Sequence, residues 1–333
     1  MKKRHLTTLA AALFAATLGT AHAAAVISNG TVRLGVNDLG QLNFAGVGLA
    51  NVATGNDSTV AGCECEGWGA AISSSSVAGF ANNSRGIGGL GLVSFSSTAS
   101  TATSVVNVLS GVIPMLLVTH SYHPSTNAVL YQVDVSIKNV SGADLVAGDL
   151  LYRRVMDWDI APTVFHEFVT MSGVPASLGV ANGNNVRHTG DNGFANANPL
   201  SADSVSRLGC APVNSNFTDC GPGDHGAIFD FEFEALANGA TREFTTFYGS
   251  ALTETAMLAA LADVGAGLFS LGEPNTSTGP TLGEPNTFAF GFGGAGGVLE
   301  PPPGPNPTVP EPGTLALLGV ALAGLALRRR KAA

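Results

Sequence analysis

Hydrophobic and polar residues alternate with a period of two along much of this 333-residue chain. Val129, Tyr131, Val133, Val135 and Ile137 interleave with Gln132, Asp134, Ser136 and Lys138. Ala227, Phe229, Phe231 and Phe233 interleave in the same way with Asp230, Glu232 and Glu234. A strand turns successive side chains to opposite faces, so each pattern predicts one buried face and one wet one, with the three acids on solvent. Further strands are expected over 31–36, 90–95, 104–109, 113–120, 150–158, 165–171, 243–248 and 288–292. Turn signals punctuate them at Asn29-Gly30, Asn182-Gly183, Asp191-Asn192-Gly193 and Asn238-Gly239. Many short strands with such turns predict an all-β fold, a large antiparallel β-sandwich. One short helix interrupts this pattern near the C-terminal end of the domain. Thr253 can cap a segment whose Met257, Leu258, Leu261 and Val264 form a single apolar stripe before Gly265. The hexapeptide at 271–276 recurs at 282–287, and nothing else follows that period, so it reads as one local duplication.

The two ends of the chain follow other rules. Lys2-Lys3-Arg4, an apolar stretch over 6–18 and Ala21-His22-Ala23 have the form of a secretory signal peptide, with the mature chain beginning at Ala24. At the other end, Val309-Pro310-Glu311-Pro312-Gly313 precedes an apolar run over 314–327 and then Arg328-Arg329-Arg330-Lys331. As a helix that run spans roughly 21 Å at about 1.5 Å per residue. The hydrocarbon core of a bilayer is about 30 Å thick, so this is a short transmembrane helix, suited to a transient stay. The cations after it favour the cytoplasmic side. This tail resembles the PEP-CTERM sorting signal: Pro310, Glu311 and Pro312 match its signature tripeptide, and Arg328, Arg329 and Arg330 its basic end. The resemblance implies an exosortase as processing partner and transient anchoring in the inner membrane. Transfer to the cell surface or extracellular matrix of an exopolysaccharide-producing Gram-negative bacterium would follow. The expected organisation is a signal peptide over 1–23, a β-sandwich over 24–299, a Pro-rich spacer over 300–309 and the sorting signal over 310–333.

Removing the ends changes the charge. Seven of the 15 Lys and Arg lie in the targeting segments, leaving eight, and one of the 24 acids, Glu311, lies in the tail, leaving 23. The mature body therefore carries a net charge of −15 against −9 for the whole chain. Such a surface repels phosphate backbones and excludes nucleic acid as a partner. About 275 residues remain, enough for a substantial core. Four cysteines in an exported chain point to disulfides, and four allow three pairings. Two local bridges, Cys63–Cys65 and Cys210–Cys220, are favoured, with cross-pairing between the sites as the rival; the spacings fit no usual zinc pattern.

Five stretches carry residue types with chemistry to offer: His120-Ser121-Tyr122-His123, Arg153 to Asp159, His166-Glu167, Asp224-His225, and Gly62 to Gly69 with Trp68. The polar candidates among them are His120, His123, Asp157, Asp159 and His225. On a strand through 159, Asp157 and Asp159 would share one face with Trp158 on the other. Read as chemistry, a histidine, paired carboxylates and a tryptophan suit a sugar site, provided that they converge. Read as architecture, Arg153 and Arg154 pair with buried acids such as their near neighbours Asp157 and Asp159. Residues 27–36 resemble the first hairpin of the galactose mutarotase-like sandwich of carbohydrate enzymes and carry no catalytic motif. No P-loop, GxSxG, HExxH or CxxC occurs. The expectation is therefore a structural or adhesive surface protein associated with exopolysaccharide, without assigned catalytic, cofactor or metal residues. The alternatives are a carbohydrate-active enzyme of mutarotase or lyase type, and a Ca²⁺-dependent glycan-binding module using Asp157 and Asp159, or Asp191 and Asn192.

Overall fold

The computed structural model describes residues 24–298 apart from 204, 277, 281 and 282. The expected signal peptide, spacer and sorting tail with its hydrophobic helix lie outside the described residues.

Twenty strands, one α-helix and a 3₁₀ turn are described. The first eight strands are β1 (Ala24–Ser28), β2 (Val32–Asn37), β3 (Leu49–Asn51), β4 (Gly67–Ile72), β5 (Val77–Asn82), β6 (Gly86–Gly88), β7 (Leu90–Ser97) and β8 (Ala102–Ser110). Six follow: β9 (Ile113–Pro124), β10 (Leu130–Asn139), β11 (Leu150–Asp157), β12 (Glu167–Ser172), β13 (Val186–Gly190) and β14 (Phe217–Gly223). Next come β15 (Gly226–Glu232), β16 (Thr241–Ala251), α1 (Glu254–Asp263), β17 (Leu268–Glu273), β18 (Asn275–Thr276), β19 (Gly279–Pro280) and β20 (Thr287–Gly293).

Two antiparallel sheets build the sandwich. The larger has nine strands in the order β14-β12-β17-β20-β16-β10-β9-β8-β7, and the smaller has six in the order β13-β15-β11-β4-β5-β6. Their inner faces supply one core: Val133, Val135 and Ile137 from β10 meet Phe229 and Phe231 from β15, joined by Phe290 and Phe292 from β20. Each such side chain, fully buried, contributes on the order of 1.5–3 kcal/mol. A three-stranded sheet, β1-β2-β3, adds Ile27, Val32 and Leu34 to the same core. Its first turn falls at Asn29-Gly30, where Gly30 has φ of +94° and Asn29 Oδ1 accepts from the backbone N–H of Thr31 and Val32.

The helix forms as its sequence prescribes. Thr253 Oγ1 accepts from Ala256 N–H, and Met257, Ala260 and Leu261 turn onto Phe247, Leu271 and Ala289. α1 thus covers part of the outer face of the nine-stranded sheet. Among the described residues, no helix is long and apolar enough to cross a membrane.

Two details depart from expectation. β11 ends at Asp157, and Asp159 N–H bonds to Ser58 O, so Asp157 and Asp159 do not share one strand face. Asp230 is not solvated: the segment over 195–203 folds across the outer face of the six-stranded sheet and leaves Asp230 only 3% exposed.

Candidate functional site

Polar groups gather in three places. The first is built on the two faces of β11. Alternation along β11 puts Arg153 and Arg154 on opposite faces, so neither meets Asp157 or Asp159 as the sequence suggested. Arg153 grips Asp230 through Nε and Nη2 at 2.6 and 2.7 Å and donates to the carbonyls of Asn196, Asn198 and Ser201. Arg154 points inward to Glu66, Nε to Oε1 at 2.8 Å, both fully buried. Tyr248 Oη donates to the same carboxylate at 2.7 Å, and Leu42 N–H donates to its other oxygen at 2.6 Å. Tyr122 and Tyr152 stand within 3.2 Å of the guanidinium. Burial opposes the Arg154 charge, but Glu66 and the three tyrosines together hold its pKa well above the usual value. His120 lies against Trp68, with Nε2 3.1 Å from Tyr152 Oη. Burial, and secondarily the Arg154 charge, push its pKa well down, so it is neutral. Arg154, Glu66, the three tyrosines and His120 are sealed between the sheets, whereas Arg153 and Asp230, on the outer face, border a small open pocket with Arg187.

The second place lies at the end of β11, where a carboxylate oxygen from each of Asp157, Asp159 and Asp224 comes within 4.8 Å of the others. Asp157 and Asp159 are buried and Asp224 is exposed at the rim. Asp159 has no hydrogen-bond partner on either oxygen, and Asp157 none on Oδ1. Asp157 Oδ2 sits 3.3 Å from Cys63 Sγ. Cys63 is bonded to Cys65, as Cys210 is to Cys220, so that sulfur has no proton to donate. Burial first, then the charges of Asp159 and Asp224, raise the Asp157 pKa to about 9, against the pull of Arg207 and Arg85. Burial, Asp224 and Asp57 raise Asp159 to about 7. Burial, with lesser help from Asp159 and Asp157, raises Glu167 to about 9 despite the N–H of His225 on its Oε1. His225 Nδ1 meets Asp191 Oδ2 at 3.1 Å, leaving Nε2 unpartnered. Asp191 also accepts from the N–H groups of Arg207 and Leu208, so its oxygens are satisfied.

The third place is open. Outward residues of β9, β10 and β16 form cross-strand rows: His123–Gln132–Phe247, Ser121–Asp134–Thr245 and Thr119–Ser136–Glu243. Beside the C-terminal end of α1 they line a groove of about 710 Å³ that also includes Thr126, Val264 and Gly293. His123, half-buried, places Nε2 3.1 Å from Oδ2 of the exposed Asp134, which lines the groove.

The structure therefore separates the sequence-derived candidates. His120 is interior, His123 belongs to the nine-stranded sheet's outer face, and Asp157, Asp159 and His225 lie at the end of the other sheet. Pro310, Glu311, Pro312, Arg328, Arg329 and Arg330 fall outside the described residues. Sequence reasoning missed Glu66, which lay inside the singled-out stretch Gly62 to Gly69 with no signal beyond an acid directly before the buried strand β4. It also missed Asp224 as third member of the carboxylate group, 65 or more positions from the other two, because only the β11–β15 pairing brings these together.

Comparison with known proteins adds an address. Residues 308–331 match the model of the PEP-CTERM protein-sorting motif. The motif implies processing by an exosortase and export through membrane-anchored sorting to the cell surface. No curated protein matches the chain in sequence. Two solved structures are weakly similar. One is described as an aldose 1-epimerase from Escherichia coli K12, at 12% identity and a TM-score of 0.30, covering 82% of this chain and 88% of that one. The other is a galactose mutarotase related enzyme from Lactobacillus acidophilus, at 8% identity and a TM-score of 0.32, covering 84% and 93%.

Proposed function

We propose that the exported body is a non-enzymatic adhesive module that holds exopolysaccharide against the outer face of its nine-stranded sheet. One observation carries this reading: the three polar rows that converge in the open groove beside α1. Their hydroxyls, carboxylates and single amide offer donors and acceptors in register across three strands, the display that a polyhydroxylated chain requires. Phe247 is only 3% exposed and offers little face for ring stacking, so single contacts are weak. A polymer meeting many copies at one surface would gain its hold through multivalency. The body's net negative charge, with Asp134 and Glu243 in the groove, favours neutral over anionic glycan.

The non-enzymatic part is supported by the separation of His123, in the nine-stranded sheet, from Asp157 and Asp159, at the end of β11 in the six-stranded one, and by the sealed position of His120. General acid–base work on a sugar needs such groups within hydrogen-bond reach of one substrate. The test is a glycan array probed with the intact chain and with Thr245→Arg, which would fill the groove from an outward position. Retention on neutral polysaccharide by the wild type and its loss in the variant are expected. Equal retention by both proteins, or none by the wild type, would overturn the assignment.

A further inference from the structure

We propose that Asp157, Asp159 and Asp224 form a binding site for one hard divalent cation, calcium by size, at the end of β11. Three oxygens within 4.8 Å of one another fit this geometry. Ligand atoms on opposite sides of a calcium ion, each at about 2.4 Å, stand about 4.8 Å apart.

Proximity of acids alone would not carry the assignment. The second observation is that the buried oxygens have nothing to bind. Both oxygens of Asp159, which is 0% exposed, lack any donor. Asp157 Oδ1 also lacks one, and its Oδ2 faces a disulfide sulfur that cannot donate. Glu167, 0% exposed, adds a third buried carboxylate nearby with Oε2 unpartnered. Elsewhere among the described residues, Glu66, Asp191 and Asp230 each accept at least two hydrogen bonds, and buried Glu273 leaves only Oε2 open, whereas Asp159 is open on both oxygens. Buried polar groups are almost always paired, and a carboxylate left open on both oxygens marks a place for a partner from outside the chain.

The surroundings suit a cation. The loop at Gly62 closes over the site, since a Cβ there would lie 3.4 Å from Asp159 Oδ1 and 2.6 Å from the Phe165 ring. Asp224 leaves the rim open, so water can complete the six to eight ligands that calcium takes. With Cys63 and Cys65 joined, the donor set is oxygen only, which disfavours zinc and copper. Asp191 and Asn192 are the weaker choice, because Asp191 is already satisfied by three donors.

The site is independent of the glycan groove and is tested separately. The intact, disulfide-bonded chain is stripped with EGTA and titrated with CaCl₂ by calorimetry. Tb³⁺ luminescence sensitised by the neighbouring Trp158 serves as a second readout. Saturable binding of one ion, displacement of Tb³⁺ by Ca²⁺ and a raised melting temperature are expected. Asp159→Asn should weaken binding at least tenfold, and Asp224→Asn, at the exposed rim where folding is not at stake, should weaken it severalfold. Asp263→Asn, on the exposed side of α1, should match the wild type. The proposal fails if the wild type takes up no calcium at millimolar ion, if it prefers Mg²⁺, or if Asp224→Asn binds as the wild type does.

Discussion

Replacing Glu66 by glutamine keeps the side chain's shape and removes its charge, and the structure fixes what should follow. Three donors converge on this carboxylate: Arg154 Nε at 2.8 Å, Tyr248 Oη at 2.7 Å and Leu42 N–H at 2.6 Å. A glutamine has one accepting oxygen, so its NH₂ must face at least one of these donors. Arg154 is 0% exposed and cannot shed its proton, so its charge stays buried without a counterion. Breaking one side of a buried pair costs about 3–5 kcal/mol. Orphaning a buried donor costs about 1–3 kcal/mol. The two penalties overlap, and a net loss of about 4 kcal/mol is expected, a large share of the roughly 5–15 kcal/mol that holds a typical domain together. At roughly 2–4 °C per kcal/mol for a domain approaching this size, the melting temperature should fall by about 8–16 °C. Urea unfolding followed by tryptophan fluorescence suits the measurement, because Trp68 lies in the same interior and donates to Leu39 O. The midpoint should drop with little change in slope. A loss below about 1 kcal/mol would refute the reasoning, since a network kept for architecture must cost stability when cut. It would also revive the enzymatic reading, because polar groups retained for chemistry often cost the fold nothing on removal.

Two further outcomes follow from the same interior. His120 is held neutral, so the unfolded chain takes up a proton that the folded one refuses; stability should fall as pH drops below about 6.5, by up to about 1.4 kcal/mol per pH unit, and not change through this group above it. His120→Gln should flatten that limb of a pH-resolved unfolding series, and an unchanged slope would contradict the assignment. Arg153→Met should release the 195–203 segment by removing its bonds to three carbonyls there, so trypsin should nick the exposed Arg207 faster, and an unaltered digestion rate would show that the segment is held by other contacts.

How much could be read in advance depended on what side chains a strand carries. β10 alternates, and its period-two pattern placed it to within one residue; β11 and β20 are buried nearly throughout, yet their large apolar residues placed them to within one residue at each end. β4 was not legible: all six of its residues are buried, and a Cβ on Gly69 would meet the Ala197 backbone, so its run of glycine and alanine carries no alternation to detect. The same covering segment hid the environment of Asp230, which sits on the polar side of a correctly read strand yet faces Arg153 rather than water. The duplicated hexapeptide shows the limit from another side. Glu273 is 3% exposed, accepts from Thr287 of the second copy and has its pKa raised to about 8 by burial and then by Glu254 and Asp219. Glu284, at the equivalent position, lies exposed. Identical sequence, set in different surroundings, yields different chemistry. The carboxylate cluster was half legible, since Asp157 and Asp159 are neighbours in sequence while Asp224 reaches them only through sheet pairing.

The sorting motif and the ligand chemistry at the end of β11 are linked through one bond. Cys63, Cys65 and Asp157 lie close enough together to share an ion, and as thiolates the two sulfurs would draw a soft metal to Asp157. Joined as a disulfide they can neither ligate as thiolates nor donate a proton, and Asp157 is left to oxygen chemistry with Asp159 and Asp224. Disulfides persist where the environment is oxidising, outside the cytoplasm. The exosortase-directed route implied by residues 308–331 takes the chain to such a place. Export thus does more than deliver this domain: by closing the Cys63–Cys65 bond it selects which class of cation the neighbouring acids can hold. A chain kept reduced would present a different ligand set with the same backbone, which ties the metal preference of the site to the compartment in which it folds.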